Sequence, residues 1–320
     1  MTSDASPNPE SVDMGTASLP GRHVLEITTL RSLSLRSNVQ GLIRFGAHVG
    51  TMLMTGYLVY LSLGNWYLLL PAMVLHGFTI VTWFAAMHEC VHRTAFASPM
   101  LNEVCGWIAG LLSFYNFTYY RHYHTWHHRY TQDPERDPEL MTPKPRNLFE
   151  YIVEITAIPF WCLRPFTFIR LAMGRTHVYP FVPENARRKI AISAACQLAV
   201  YVAGLIAIGL GYWQPLYFFF LPAICGQPIL RAILLAEHTC CSMDENGLTN
   251  TRTTLTSFPI RLLMWNMPYH TEHHLYPSIP FHQLPRAHVE IRDRLVHLSP
   301  NYIAANRTII QTLVHPKTGG

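Results

Sequence analysis

Charge is what this sequence has least of. Of its 320 residues only 13% are Asp, Glu, Lys or Arg, while 49% are apolar. A soluble domain carries about 25% charged residues, so the shortage points away from a soluble protein and toward a lipid bilayer. The net charge of +5 comes from scattered Lys and Arg. No basic stripe tracks a phosphate backbone, which excludes nucleic acid as the partner, and the excess fits the loops on the inner face of a membrane. The seven cysteines contain no C-x-x-C pair; Cys196 and Cys225 fall in apolar runs, and Cys240 and Cys241 are adjacent. That pattern excludes a disulfide framework, a zinc ribbon and an iron–sulfur set, and fits reduced thiols facing the cytosol. Internal repeats and glycine-rich nucleotide loops are also missing. Residues 1–24 lack the basic start and apolar core of a signal peptide and read as a disordered tail.

Long apolar runs are what the sequence has instead. Residues 25–44 mix Leu and Ile with Arg31, Arg36 and Arg44, as an interfacial helix does. The first run, Phe45 to Leu63, is uncharged, and at ~1.5 Å per residue it reaches roughly 28 Å, enough for a bilayer core. Tyr67 to Met87, Ile190 to Gly211 and Pro215 to Leu235 are the other three expected spans. Short turns near Asn65 and Trp213 pair the runs as two hairpins. All long segments, with Arg93, Arg121, Arg129, Arg136, Lys144, Arg146, Arg187, Arg188 and Lys189, then fall on the opposite side, together with both termini. Lys and Arg mark that side as cytosolic. Residues 104–117 and 151–166 are too short or too interrupted for spans and are expected to be interfacial or re-entrant. Arg231, inside the fourth run, is expected to snorkel or to meet a polar site.

Histidine is concentrated where the apolar runs end. "HECVH" holds His88 and His92; "HYHTWHH" holds His124, His127 and His128; "HTEHH" holds His270, His273 and His274. Helical positions i, i+3 and i+4 share a face, so each cluster is expected to project its imidazoles in one direction. Neutral imidazole suits iron, zinc and copper. Eight such groups exceed the four ligands of one tetrahedral zinc and fit two metals in a shared site. His76, His282, His288 and His297 read as ordinary core or surface residues. "HECVH" alone is also the signature of a zinc peptidase with Glu89 as its base, but a peptidase needs only one further ligand. Metal transporters hold their ligands near mid-membrane, whereas these clusters sit at or beyond the span ends.

The three boxes, their order and the two hairpins resemble the membrane-bound fatty acid desaturase family, over roughly residues 40–290. "NMPYHTEHHLYPSIPFHQLPRAH" is similar to that family's third-box neighbourhood. The resemblance implies an all-α integral membrane protein: four transmembrane helices in two hairpins, with a cytosolic helical cap carrying a di-iron site, as one domain over 25–320. It implies two iron ions held by His88, His92, His124, His127, His128, His270, His273 and His274. His238, in "LLAEHT", stands where the family has a further histidine at the end of the fourth span. Leu234 stands where some members have an iron-associated asparagine; Glu237, Asn250 and Asn266 are candidate substitutes. Glu89, Glu272, Asp133, Glu135 and Asp137 are candidate partners for the outer imidazole nitrogens, and His122 falls outside the box pattern. The implied activity uses O2 to oxidise an unactivated C–H bond. Desaturation of an acyl or acyl-like lipid is the first reading; hydroxylation or ketolation of a hydrophobic substrate, including a carotenoid-type one, is the second. No flavin or nicotinamide fingerprint is present, so electrons come from an external ferredoxin, rubredoxin or cytochrome b5.

Overall fold

The computed structural model describes residues 24–315, so the expected N-terminal tail lies outside the described residues except for Val24. The chain is built from helices: α1 (Ile27–Leu33), α2 (Asn38–Ser62), α3 (Trp66–Val81), α4 (Trp83–Val91), α5 (Pro99–Leu112), α6 (Phe117–Arg129), α7 (Leu148–Ile155), α8 (Ile158–Ala172), α9 (Glu184–Gly209), α10 (Leu221–His238), α11 (Phe258–Leu263), α12 (His270–Leu275), α13 (Leu284–Ile291) and α14 (Tyr302–Val314). The described strands are two short ones, β1 (Thr253–Thr254) and β2 (Leu298–Ser299), paired in parallel. Side-chain caps set several starts: Ser37, Asn65, Ser98, Asn116, Asn147 and Asn301 each accept a backbone N–H from the first turn that follows.

By length and composition, three helical stretches are apolar enough to cross a membrane: Trp66–Val91, Glu184–Gly209 and Leu216–His238. They coincide with three of the four runs. The first run also folds as one long helix, α2, but it is not apolar enough to join them. His48, Thr51, Thr55 and five glycines and tyrosines dilute its hydropathy, and His48, Thr55 and Ser62 are buried rather than lipid-facing. A fourth candidate comes from α7 and α8, bent by 58° at Thr156–Ala157. Ala157 takes a left-handed φ of 59° there, and Pro159 and Pro165 sit in the second arm. The stretch expected at 104–117 falls instead on α5 and the start of α6, capped and separated by the Asn116 turn.

The hairpin connections are short, with Gly64 (φ +89°) after α2 and Gly211 (φ +91°) after α9, a region glycine enters without a Cβ penalty. α2 packs on α3 along its length, but α9 packs on α8 while α10 packs on α3. The second pair is therefore a hairpin in connection, whose two helices diverge to different neighbours. Gly77 and Gly226 cause the α3–α10 contact: a Cβ on either would overlap the backbone at the other helix. That close crossing sets His88 and His238 at the same end of the molecule.

Large apolar side chains stay exposed along the long helices, among them Leu53, Tyr57, Leu68, Leu205 and Ile206. A surface of that extent needs lipid to cover it. The main core lies at the opposite end, around Trp83, Met87, Phe117 and Trp265, and a second core of Leu33, Leu275, Ile279 and Leu284 supports the third histidine box.

Candidate metal centre

Four helices bring the nine histidines together. His88 lies in the last turn of α4 and His92 caps it; α6 carries His124, His127 and His128; His238 ends α10; α12 carries His270, His273 and His274. They form two groups, His88 with His92, His124, His128 and His273, and His127 with His238 and His274; within each group one ring nitrogen per residue lies within 4.8 Å of all the others. His270 adjoins the second group, its Nε2 3.1 Å from His238 Nε2. The expectation that each box points one way is corrected by this division. Neighbouring residues on a helix point about 100° apart, so His127 and His128 serve different groups, as do His273 and His274. Each group draws on several boxes, and each box of three supplies both groups.

The donors suit metal ions. His128 Nε2 faces His124 Nε2 at 2.9 Å and His273 Nε2 at 3.1 Å. A neutral imidazole carries one N–H, so three converging Nε2 atoms leave lone pairs opposed unless a cation sits among them. His88 Nε2, His92 Nε2 and His274 Nε2 are buried with no hydrogen-bond partner among the described residues. Burial, followed by the neighbouring imidazoles, holds His124, His128, His270, His273 and His274 well below the usual histidine range. They are neutral, the form that binds metal.

The rear nitrogens are held by oxygen atoms. His127 Nδ1 lies 2.9 Å from Asp137 Oδ1, His238 Nδ1 donates to the Asn250 carbonyl at 3.1 Å, His124 Nδ1 meets the Tyr120 hydroxyl at 3.3 Å and His274 Nδ1 meets Thr131 Oγ1 at 3.2 Å. Asp137 also accepts the N–H groups of Gln132 and Glu139, at 2.8 and 2.9 Å. Burial opposes a proton on His127, but Glu139 and Asp137 outweigh it and raise its affinity for protons. Of the candidate acids, Asp137 alone takes this role. Asp133 pairs with Arg136 on the surface, Glu135 is exposed, and Glu89 Oε1 accepts the Phe281 N–H at 2.9 Å. Glu272 faces away from the cluster and clamps α12 to Thr253 and His288, both at 2.5 Å. His288 thus has a carboxylate partner, and His76 is held by Thr55 and the Phe218 carbonyl.

Glu237 comes nearest to replacing the missing asparagine. Its Oε2 lies 3.5 Å from His270 Nε2 and its Oε1 is buried without a partner. Asn266 instead donates to the Phe281 carbonyl, and His122 belongs to neither group. Three positioning residues carry no sequence signal. Glu139 Oε1 stands 3.7 Å from His127 Nε2. Gln132, at a left-handed φ of 67°, reaches from the α6 loop to the His238 carbonyl at 2.8 Å. Arg252, buried, donates to the Ala236 and Thr239 carbonyls at the end of α10.

Two cavities meet the cluster from different sides. One, of about 390 Å³, reaches His88, His124, His238 and His270 between Phe84, Tyr115, Tyr120 and Phe160. The other, of about 420 Å³, ends on His128 and His274 and is bordered by Asp133, Glu135, Asp244 and Glu245. Arg231 meets a polar site in the first: its guanidinium donates to the Tyr115 hydroxyl at 2.6 Å and lies 3.6 Å from Glu154.

A family model for fatty acid desaturases matches residues 64–306. The chain is 27% identical over 259 residues to an sn-1 oleoyl-lipid 12-desaturase of Picosynechococcus sp., covering 74% of this chain and 73% of that one. It is 26% identical to a sphingolipid delta(4)-desaturase of Drosophila melanogaster, over 86% of this chain and 81% of the relative. It is also 26% identical to a fatty acid desaturase of Bacillus subtilis, over 72% and 71%. Box order, apolar helices, converging imidazoles and these likenesses agree: the chain is an oxidoreductase of the membrane and belongs to the fatty acid desaturase family.

Proposed function

We propose that the protein is an O2-dependent, di-iron membrane enzyme that introduces a double bond into a fatty acyl or acyl-like lipid chain. The observation that carries this reading is the pair of facing, buried, neutral imidazole groups at the inner end of an aromatic cavity. His88, His92, His124, His128 and His273 would hold one iron; His127, His238 and His274, with the adjoining His270, would hold the other, and Glu237 would be the nearest oxygen donor to it. Bound iron supplies the activation of O2 needed to attack an unactivated C–H bond. The chain's own residues do the rest. Asp137 and the Asn250 carbonyl keep protons on the rear nitrogens of His127 and His238 and aim the front ones. Phe84, Tyr115, Tyr120 and Phe160 line the approach, excluding water and confining an extended chain. In the balanced reaction two hydrogens leave adjacent CH2 groups. Two electrons and two protons arrive from a small external redox protein, and O2 leaves as two waters. The cluster and both termini face the cytosol, where such a donor is found.

Lipid profiling of cells expressing the protein, beside a His124→Ala control, tests the reaction. A new double bond in the first and none in the second is expected; a new hydroxyl or keto group would replace desaturation with oxygenation. Metal analysis of protein purified without chelators should give two irons per chain. A single zinc, with peptidase activity lost in Glu89→Gln, would sink the proposal.

A further inference from the structure

Arg164, on α8, lines the same cavity as His88, His124, His238 and His270. Its guanidinium lies over the rings of Phe160 and Tyr115, with its carbon 4.1 and 4.3 Å from their centroids. No carboxylate or hydrogen-bond acceptor meets it among the described residues, and its Nε is buried without a partner. Arg231 stands beside the same rings, 4.9 Å from the Phe160 centroid, but is answered by Glu154 and the Tyr115 hydroxyl. Glu139, Glu154 and Glu237 also line this cavity, but the one that pairs with a guanidinium is Glu154, on Arg231, and Arg164 borders the cavity unanswered. A half-buried cation without a counter-charge bears part of the cost of an unpaired buried charge. Ring faces offset part of that cost, and a planar anion is the ligand a guanidinium fits best.

We propose that Arg164 binds the carboxylate of a free, unesterified chain, whose apolar part runs along the cavity to the histidines. This rests on the reading that the cavity delivers a chain to the metal centre. It adds the form of the substrate and a ruler. Arg231 precedes His238 by two helical turns of α10, roughly 10 Å along the axis. The carbon presented to the cluster is thus set by its distance from the carboxyl end rather than from the methyl end.

The test measures binding, with neither reductant nor O2 supplied, so its outcome is independent of turnover and of the reaction type. The full chain, with its metal as purified, is placed in phosphatidylcholine nanodiscs and titrated with oleic acid and with methyl oleate. The unaltered protein should prefer the acid by about tenfold or more, as expected for a charge-assisted hydrogen bond. Arg164→Gln should erase the preference of the acid over the ester, and Arg164→Lys should keep part of it. Equal binding of acid and ester by the unaltered protein overturns the proposal without any variant. So does a preference that survives in Arg164→Gln. Stabilisation by phosphatidylglycerol but not by oleic acid would assign Arg164 to a bilayer headgroup and overturn it as well.

Discussion

At the residue scale, the two decisive side chains are one that repetition reveals and one that it does not. H-x-x-H-H occurring twice made the boxes legible from spacing alone. His238 stands alone in sequence, marked by no box spacing but only by its place at the end of the fourth apolar run and by the family resemblance, yet its Nε2 faces that of His270 at 3.1 Å. His238→Ala should abolish oxidation and lower iron content while the protein still accumulates, whereas His297→Ala should do neither. Full activity with two irons in His238→Ala would remove it from the site. Asp137 acts through His127, so Asp137→Asn should weaken metal binding by ~10–100-fold, the usual loss for such a partner, read by competition with a chelator. Gln132 and Arg252 show what sequence cannot display. Gln132 finds the His238 carbonyl across 106 residues of chain, and Arg252 finds the end of α10 by tertiary contact. Neither spacing nor hydropathy encodes those meetings.

Among the elements, α10 has the most demanding position, since it must carry His238 to the cluster while crossing α3 closely. Gly226 and Gly77 make that crossing possible. Gly77→Val should push the helices apart, at about 1–3 kcal/mol as for other overpacked cores. The expected readout is a lower melting temperature together with lost iron, because the shift moves His238 relative to His88. Unchanged melting and metal content would show that the crossing can relax. Helix ends and apolar runs were legible here, because caps and hydropathy are local properties. The divergence of α9 from α10 was not, since a short turn says which helices are joined and not which faces they bury. The bend between α7 and α8 likewise depends on a left-handed Ala157, a conformation for which alanine gives no signal.

For the whole molecule, acidity and membrane sidedness are the two properties that follow from the assembled structure. Burial and mutual proximity keep His124, His128, His270, His273 and His274 neutral, with proton affinities well below the usual histidine range. In the unfolded chain they protonate near pH 6.5, so their lowered values leave stability intact above that pH and erode it as the pH falls below. His127, raised by Glu139 and Asp137, acts in the opposite sense but is outnumbered by the lowered histidines around it, His92 among them. Metal-stripped protein should therefore melt progressively lower from pH 7 to pH 5, and a flat profile would contradict burial of neutral rings. For sidedness, an engineered thiol beside Lys144 should react only with reagent added from the cytosolic side, and thiols near Asn65 and Trp213 only from the other. The reverse pattern would refute the arrangement.

The division of each metal group among distant boxes also fixes the timing of manufacture. His128 and His273 are 145 residues apart in the chain and 3.1 Å apart in space, and α12 follows the last long apolar helix. A ribosome that has delivered only the first two boxes has made neither group in full. A metal held by these groups would therefore be taken up in full only after α10 and α12 have been made, and a chain ending before His270 would leave the imidazoles of the first two boxes without their partners.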